Sequence, residues 1–261
     1  MYSTTIIETS FPKAWERAIE FVLKSPMNLR FGGGKEEKHA IDSECQVLLD
    51  INAIKEISEF LVHPSEPFLT KDGKPSMDKI NAYIKEYEKN YKGDFSYTYR
   101  HELEDTGFIL PDGKPLDQIT KLRDGLKKQI DENLPSNRNV AILYNPLKWD
   151  MSSSSPCWNE VSIRLERIDP DGTVWVSVHT LYRSHDLADA WCSNIVAQYY
   201  FIYNEILKPL NAKVLFWDEH NFSLHIYDYD IPHAKQIKSV GRNPALVSRQ
   251  EKYDKISKGN K

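Results

Sequence analysis

A single α+β domain built on a large mixed β-sheet is what this sequence predicts, and three observations predict it. Segments alternating at period two crowd the second half of the chain, and two of them flank an Asp-Pro-Asp-Gly turn at 169–172. Apolar stretches at helical spacing lie at 11–24 and 189–207. No boundary divides the 261 residues into two independent units, so residues 1–240 read as one domain and 241–261 as a polar, basic tail. A chain of this length can bury a substantial core.

The elements follow in order. Trp15, Ala18, Ile19, Phe21, Val22 and Leu23 recur at helical spacing and predict an opening helix over 11–24. Ser25-Pro26 ends it, and Phe31-Gly32-Gly33-Gly34-Lys35 predicts a loop. Ser43 to Ile51 predicts a strand, and Asn52 to Leu61 a short helix with an asparagine cap. Residues 62–120 are the least regular, with five prolines and two Asp-Gly-Lys-Pro turns at 72–75 and 112–115. Amphipathic helices are predicted over 77–91 and 116–132. Val140 to Tyr144 reads as a buried strand, and Glu160 to Glu166 with Thr173 to Leu181 as a hairpin. Residues 189–207 predict one long apolar helix, with two further strands at 214–217 and 222–227.

Composition removes several function classes. Lys+Arg is 34 against Asp+Glu 38, a formal net charge of −4, which argues against dedicated nucleic-acid binding. A small anionic ligand remains possible, since a pocket needs only two or three placed arginines. No apolar run reaches the ~18–20 residues that span a bilayer, and the N-terminus lacks a signal peptide's pattern. The three cysteines, Cys45, Cys157 and Cys192, form neither a disulfide framework nor a metal signature, which points to a reducing, cytoplasmic compartment. His179 and His185 show no metal-ligand pattern with Cys157, so no metal is expected.

One constellation carries chemistry. Ser155-Pro156-Cys157 puts a thiol after a loop and at the mouth of a strand. Arg183-Ser184-His185-Asp186 follows the hairpin, where a cation and a hydroxyl suit a phosphate. Asn194 falls inside a helix, where an amide is costly unless bonded. His225 and Tyr227, two apart on a strand, share a face. A thiol nucleophile, anion donors, an amide and a His/Tyr pair together describe a site for a phosphorylated small molecule that forms hydrogen bonds.

In that order and spacing the set resembles the thymidylate synthase family, which includes the pyrimidine nucleotide hydroxymethylases. The resemblance is good over 137–230 and faint over 15–105. It implies the family's fold, with a two-fold homodimer through the sheet, and an enzyme that moves a one-carbon unit from methylene-tetrahydrofolate, or a related pterin, to C5 of dUMP. In that scheme Cys157 adds to C6 of the pyrimidine. Arg183 and Ser184 hold the 5′-phosphate, and Arg138 reaches the partner's phosphate across the dimer. Asp186 bonds a backbone or the pterin, Asn194 reads the O4/N3 edge, and His225 and Tyr227 hold the ribose 3′-hydroxyl. Glu56 manages protons, Tyr99 helps shuttle the C5 proton, and Arg30 is an early-loop phosphate ligand. The sequence departs from the family at Tyr182, where Gln is usual, and at Trp158, where His is common. It departs also at Ser162, at Asn137-Arg138 in place of an Arg pair, and in its Lys-rich tail, which leaves it nearer the archaeal and viral branches.

Three rival readings stay open. Water in place of hydride as the final acceptor would make the chain a dUMP or dCMP hydroxymethylase, although Asn194 in place of an acidic residue favours uracil. A nucleotide-binding protein without catalysis would explain the departures. A cysteine hydrolase pairing Cys157 with His179 or His225 would leave the Arg-Ser and Asn pattern unexplained.

Overall fold

The hairpin of the second half organises the molecule. In the computed structural model, β5 (Trp158–Ile168) and β6 (Val174–Tyr182) pair antiparallel through the 169–172 turn. The Gly172 N–H donates to Asp169 O at 2.8 Å, and its φ of 82° is a left-handed value that glycine adopts without a Cβ penalty. The structure describes residues 2–8, 11–31, 38–50, 78–91, 97–105, 107–149 and 155–240, with the backbone alone at 12, 30, 31, 38, 78–80 and 236–240.

Around this hairpin the sheet grows to eight strands among the described residues. These include β1 (Ser3–Glu8), β2 (Asn28–Phe31), β3 (Lys38–Asp50), β4 (Val140–Ile142), β7 (His185–Asp186) and β8 (Ala212–Tyr227). The order is β1-β3-β8-β6-β5-β4, with β2 paired to β3 and β7 to β8. Pairs β1/β3, β6/β8 and β7/β8 are parallel and the others antiparallel, so the expected mixed sheet is present.

One face of the sheet is packed with helices. In α1 (Phe11–Val22), Ala14, Trp15, Ala18, Ile19 and Val22 are fully buried against β1 and β3, the face the sequence periodicity marks. The Trp15 indole donates to Leu187 O at 2.8 Å, which ties α1 to the segment after β7. Two short helices, α2 (Asp78–Lys85) and α3 (Tyr99–Glu104), precede α4 (Gln118–Glu132). Glutamines of α4 dock it on the sheet. The Gln118 amide both donates to Ile142 O (2.8 Å) and accepts from its N–H (2.9 Å), while Gln129 Oε1 accepts from Leu165 N (3.0 Å). Close approach also requires Gly125, where a Cβ would stand 2.2 Å from Asn139 Oδ1. Helix α5 (Trp191–Ile202) is buried almost all round, as its uniform apolarity demands. A last helix, α6 (Ile231–Val240), packs on α1. Among the described residues no helix is long and apolar enough to cross a membrane.

Four expectations are corrected. The two strands expected at 214–217 and 222–227 are one continuous β8, because the polar residues between them face either an open sheet surface or a buried polar cluster. The strand at 140 ends at Ile142 and is an edge, with Val140 and Ile142 exposed and Ala141 buried. The helix expected over 189–207 stops at Ile202 and continues as a π-turn (Tyr203–Leu207) and a 3-10 turn (Lys208–Leu210), where Pro209 cannot extend α-helical hydrogen bonding. The helix expected over 77–91 ends at Lys85. The helix expected over 52–61 and the tail at 241–261 lie outside the described residues.

Candidate active site

Strand register assembles the site. Cys157 directly precedes β5 and Arg183 directly follows β6, and since Trp158 and Tyr182 are opposite one another, the two meet. The Arg183 backbone N–H donates to Cys157 O at 3.0 Å. β8 runs past the end of β6 and there pairs with β7, setting Asp186 opposite His225. Thiol, guanidinium, Ser184, Asp186, His225 and Tyr227 thus gather at one end of the sheet.

The thiol lies in a half-open setting. Burial pushes the Cys157 pKa above the ordinary thiol value, while the Arg183 charge and a hydrogen bond from Tyr97 pull it back without cancelling the rise. Arg183 is exposed, and its Nε and Nη2 donate to Pro156 O (3.0 Å) and Ser155 O (2.8 Å). The Tyr97 hydroxyl donates to the same Ser155 carbonyl at 3.3 Å. Two donors therefore brace the turn that presents the thiol, and the remaining N–H groups of Arg183 bond nothing among the described residues. Tyr99, at the start of α3 behind its Thr98 cap, is turned edge-on to Trp158 at 5.5 Å, and burial raises its phenol pKa far up.

Asp186 and His225 face each other across β7 and β8 with opposite perturbations. Asp186 Oδ1 accepts from the N–H groups of Ala188 (3.1 Å) and Asp189 (3.2 Å), yet burial lifts its pKa to about 6. Burial depresses His225 to about 4, so the ring is neutral at pH 7, with Nδ1 3.5 Å from the hydroxyls of both Ser184 and Ser223. Tyr227 packs edge-on against His225 at 4.8 Å.

Asn194, in the first turn of α5, is 8% exposed, and its Nδ2 lies 3.1 Å from His185 Nε2. His185 stacks on Tyr182 with ring centroids 4.0 Å apart.

The remaining candidates fall elsewhere. Arg138 is exposed beside β5 near Ile163, roughly 20 Å along an extended strand from Cys157, and its side chain bonds nothing among the described residues. Arg30 is placed by its backbone on β2, opposite His39. Glu56 lies outside the described residues. Sequence reasoning passed over Tyr97, which is the tyrosine that hydrogen-bonds the thiol, and over Glu219, which is buried beneath His185. The Tyr97-Thr98-Tyr99 segment held the signal for the first; nothing local marked the second.

The geometry also weighs on the hydrolase reading. His179 lies on the open sheet face, bonded to Asp218 Oδ2 and Ser177 Oγ (both 3.1 Å). His225, at about 4, is too weak a base to take a proton from a thiol raised above its ordinary value.

No family model matches the chain. Three archaeal proteins provisionally named thymidylate synthase are similar to it in sequence. The Methanothermobacter marburgensis protein is 24% identical over 166 residues, 64% of this chain and 66% of that protein. The Methanopyrus kandleri protein is 24% identical over 188 residues, 69% of this chain and 80% of its own length. The chain thus spans just under two thirds of the first of these relatives. In structure it is similar to the thermostable thymidylate synthase A of Bacillus subtilis, with a TM-score of 0.55, 18% identity, and coverage of 88% of this chain and 84% of the other. The fold is therefore the one that enzyme has.

Proposed function

We propose that this chain is a distant member of the thymidylate synthase family and that it transfers a one-carbon unit to C5 of dUMP by covalent cysteine catalysis. The single observation that carries this reading is the meeting of Cys157 and Arg183 beside Ser184, His225 and Tyr227, a nucleophile next to donors for a phosphorylated nucleoside.

In this reading the phosphate is held by Arg183 and Ser184. Among the described residues the guanidinium has N–H groups to spare, and its two bonds to backbone carbonyls can be exchanged for charge-assisted bonds to phosphate. The neutral His225 and the phenol of Tyr227 hold the ribose hydroxyl. Asn194 donates to O4 and accepts from N3–H of uracil. Cys157 Sγ bonds to C6, and the electron pair displaced from the C5–C6 bond makes C5 a carbon nucleophile. Methylene-tetrahydrofolate, or a related pterin, supplies the one-carbon unit and, for thymidylate synthesis, the hydride that reduces it. Loss of the C5 proton would expel the pterin nitrogen from the one-carbon unit, and hydride delivered to that carbon would send an electron pair back to re-form the C5–C6 double bond and release the thiolate, regenerating Cys157. Tyr97, on the thiol, is the described residue best set to assist that proton. Glu56 and Tyr99 keep the proton-handling roles that the family resemblance implies.

For the pterin, Asp186 fits on chemical grounds. One oxygen is spent on backbone N–H groups, and a carboxyl lifted to about 6 can exchange a proton with a hydrogen-bonding heterocycle near neutrality.

The oligomer we propose is a homodimer through the open face of the sheet, where Phe222 is 55% exposed and Leu181, Asp218 and His220 line a cavity of about 260 Å³. Arg138, whose side chain bonds nothing among the described residues, would then serve the partner's phosphate.

The test is mass spectrometry of dUMP and dCMP after incubation with the protein and methylene-tetrahydrofolate. Methylated uracil is the expected product. A hydroxymethylated base would move the chain to the hydroxymethylases, and no change in either nucleotide would contradict the reading.

A further inference from the structure

A polar cluster lies under Asn194 that the proposed chemistry does not touch. Glu219, Asn221 and His185 are all within 2% of complete burial, deep between α5 and β8. Their hydrogen bonds can be assigned from groups that have no choice of role. The Trp191 indole can only donate, and it reaches Glu219 Oε1 at 2.6 Å. Asn221 Nδ2 faces two acceptors, Glu219 Oε1 at 2.8 Å and the Cys45 carbonyl at 3.4 Å. Its Oδ1 is therefore the atom 3.3 Å from His185 Nδ1. That nitrogen also has Glu219 Oε1 at 3.4 Å, so it faces two acceptors and carries the ring proton. With the ring proton on Nδ1, Nε2 presents its lone pair and accepts from Asn194 Nδ2 at 3.1 Å. The stack on Tyr182, whose hydroxyl is bonded by Gln198 Nε2, fixes the plane of the ring.

We propose that Glu219 and Asn221, acting through His185, are positioning residues that lock the Asn194 amide in one orientation and so set the choice of uracil over cytosine. The proposal rests on the reading of Asn194 as the group that meets the base. With one Nδ2 hydrogen spent on His185, Asn194 offers its other N–H and Oδ1. A 4-oxo pyrimidine presents an acceptor at O4 beside a donor at N3, and a 4-amino pyrimidine presents the reverse. A free amide could rotate to suit either. An amide pinned at its nitrogen cannot, because rotation would set Oδ1 against the Nε2 lone pair. Only a second proton on the His185 ring, or loss of the ring, would release it.

The test is equilibrium binding of dUMP and dCMP by the full chain, wild type against two variants. Wild type is expected to prefer dUMP. His185→Phe keeps a ring on Tyr182 but removes both nitrogens, and it should narrow the dUMP:dCMP preference by about tenfold or more, the usual weight of a mismatched buried polar pair. Glu219→Gln retains an acceptor for Trp191 and Asn221 and should keep the preference. Equal weakening of both nucleotides in His185→Phe, with the ratio unchanged, would overturn the relay and leave the nucleotide reading standing. A wild-type protein that binds neither nucleotide would remove the underlying reading and the relay with it. Should His185→Phe fail to fold, nitrogen NMR of the wild-type imidazole decides the matter. A proton on Nδ1 is expected, and a ring protonated on Nε2 alone would overturn the assignment.

Discussion

Two polar clusters sit side by side at one end of the sheet, and they are built on opposite plans. Around Cys157, Arg183 is exposed and, among the described residues, its side chain bonds only backbone carbonyls and leaves further N–H groups unengaged. Around His185, the side chains are almost wholly buried and each bond restricts the next, from Trp191 to Glu219, Asn221, His185 and Asn194. The first cluster can reorganise around a ligand at little cost. The second would leave buried donors and acceptors unmatched if it moved. The proposed covalent mechanism needs both properties, since its thiol and its proposed phosphate ligands must respond to substrate while the proposed base reader, Asn194, must not.

The largest expected effect tests the adaptable cluster. Cys157→Ala should lower turnover by ~10³-fold or more, because the other two thiols, Cys45 and Cys192, are buried, while leaving the denaturation midpoint nearly unchanged. Activity that survives this change would break the comparison outright. The rigid cluster should behave in the reverse way. Glu219→Leu strands the Trp191 N–H and the Asn221 amide in the core, and it should cost roughly 3 kcal/mol or more in urea unfolding.

The boundary between the clusters carries a pH signature. Asp186 ordinarily titrates near 3.8 and here near 6, so its contribution to stability is full below 3.8 and is lost as pH rises through 6. His225 ordinarily titrates near 6.5 and here near 4, so its contribution is present above 6.5 and is lost as pH falls through 4. The two slopes oppose each other across the acid range. Asp186→Asn keeps the acceptor for Ala188 and Asp189 but removes the first slope. Its stability relative to the parent should therefore be roughly 2 kcal/mol more favourable at pH 7 than at pH 4. Urea melts at the two pH values check this, and an equal difference at both would contradict the assignment. The smallest effect concerns the thiol itself. Arg183→Leu removes the charge that draws the thiol pKa down, so alkylation of Cys157 at pH 8 should slow by roughly threefold to tenfold.

The comparison also explains what could be read from the residues alone. β5, β6, α1 and α4 bury one face against the core and leave the other out, so their periodicity is plain in the sequence. The continuity of β8 was hidden because Asp218 and His220 face the open side while Glu219 and Asn221 face the buried relay, and no apolar alternation survives between Trp217 and Phe222. β1 was missed for a similar reason, since Ile6 is its single buried residue. Cys157, Arg183, Ser184, Asn194, His225 and Tyr227 stand in a recognisable order, which suffices to nominate an adaptable site. The relay leaves no such trace. Glu219 is 34 residues from His185 in the chain, and only the parallel pairing of β6 and β7 with β8 brings them together.

The central claim is that Cys157 becomes covalently bonded to C6 of the nucleotide. It is tested most directly by intact-protein and peptide mass spectrometry after incubation with 5-fluoro-dUMP and methylene-tetrahydrofolate, because fluorine at C5 cannot leave as a proton does and the adduct should stall. The account predicts a species heavier by nucleotide and folate, mapped to Cys157 and absent from Cys157→Ala. A protein that binds dUMP yet forms no adduct, or an adduct that persists in Cys157→Ala, would contradict it.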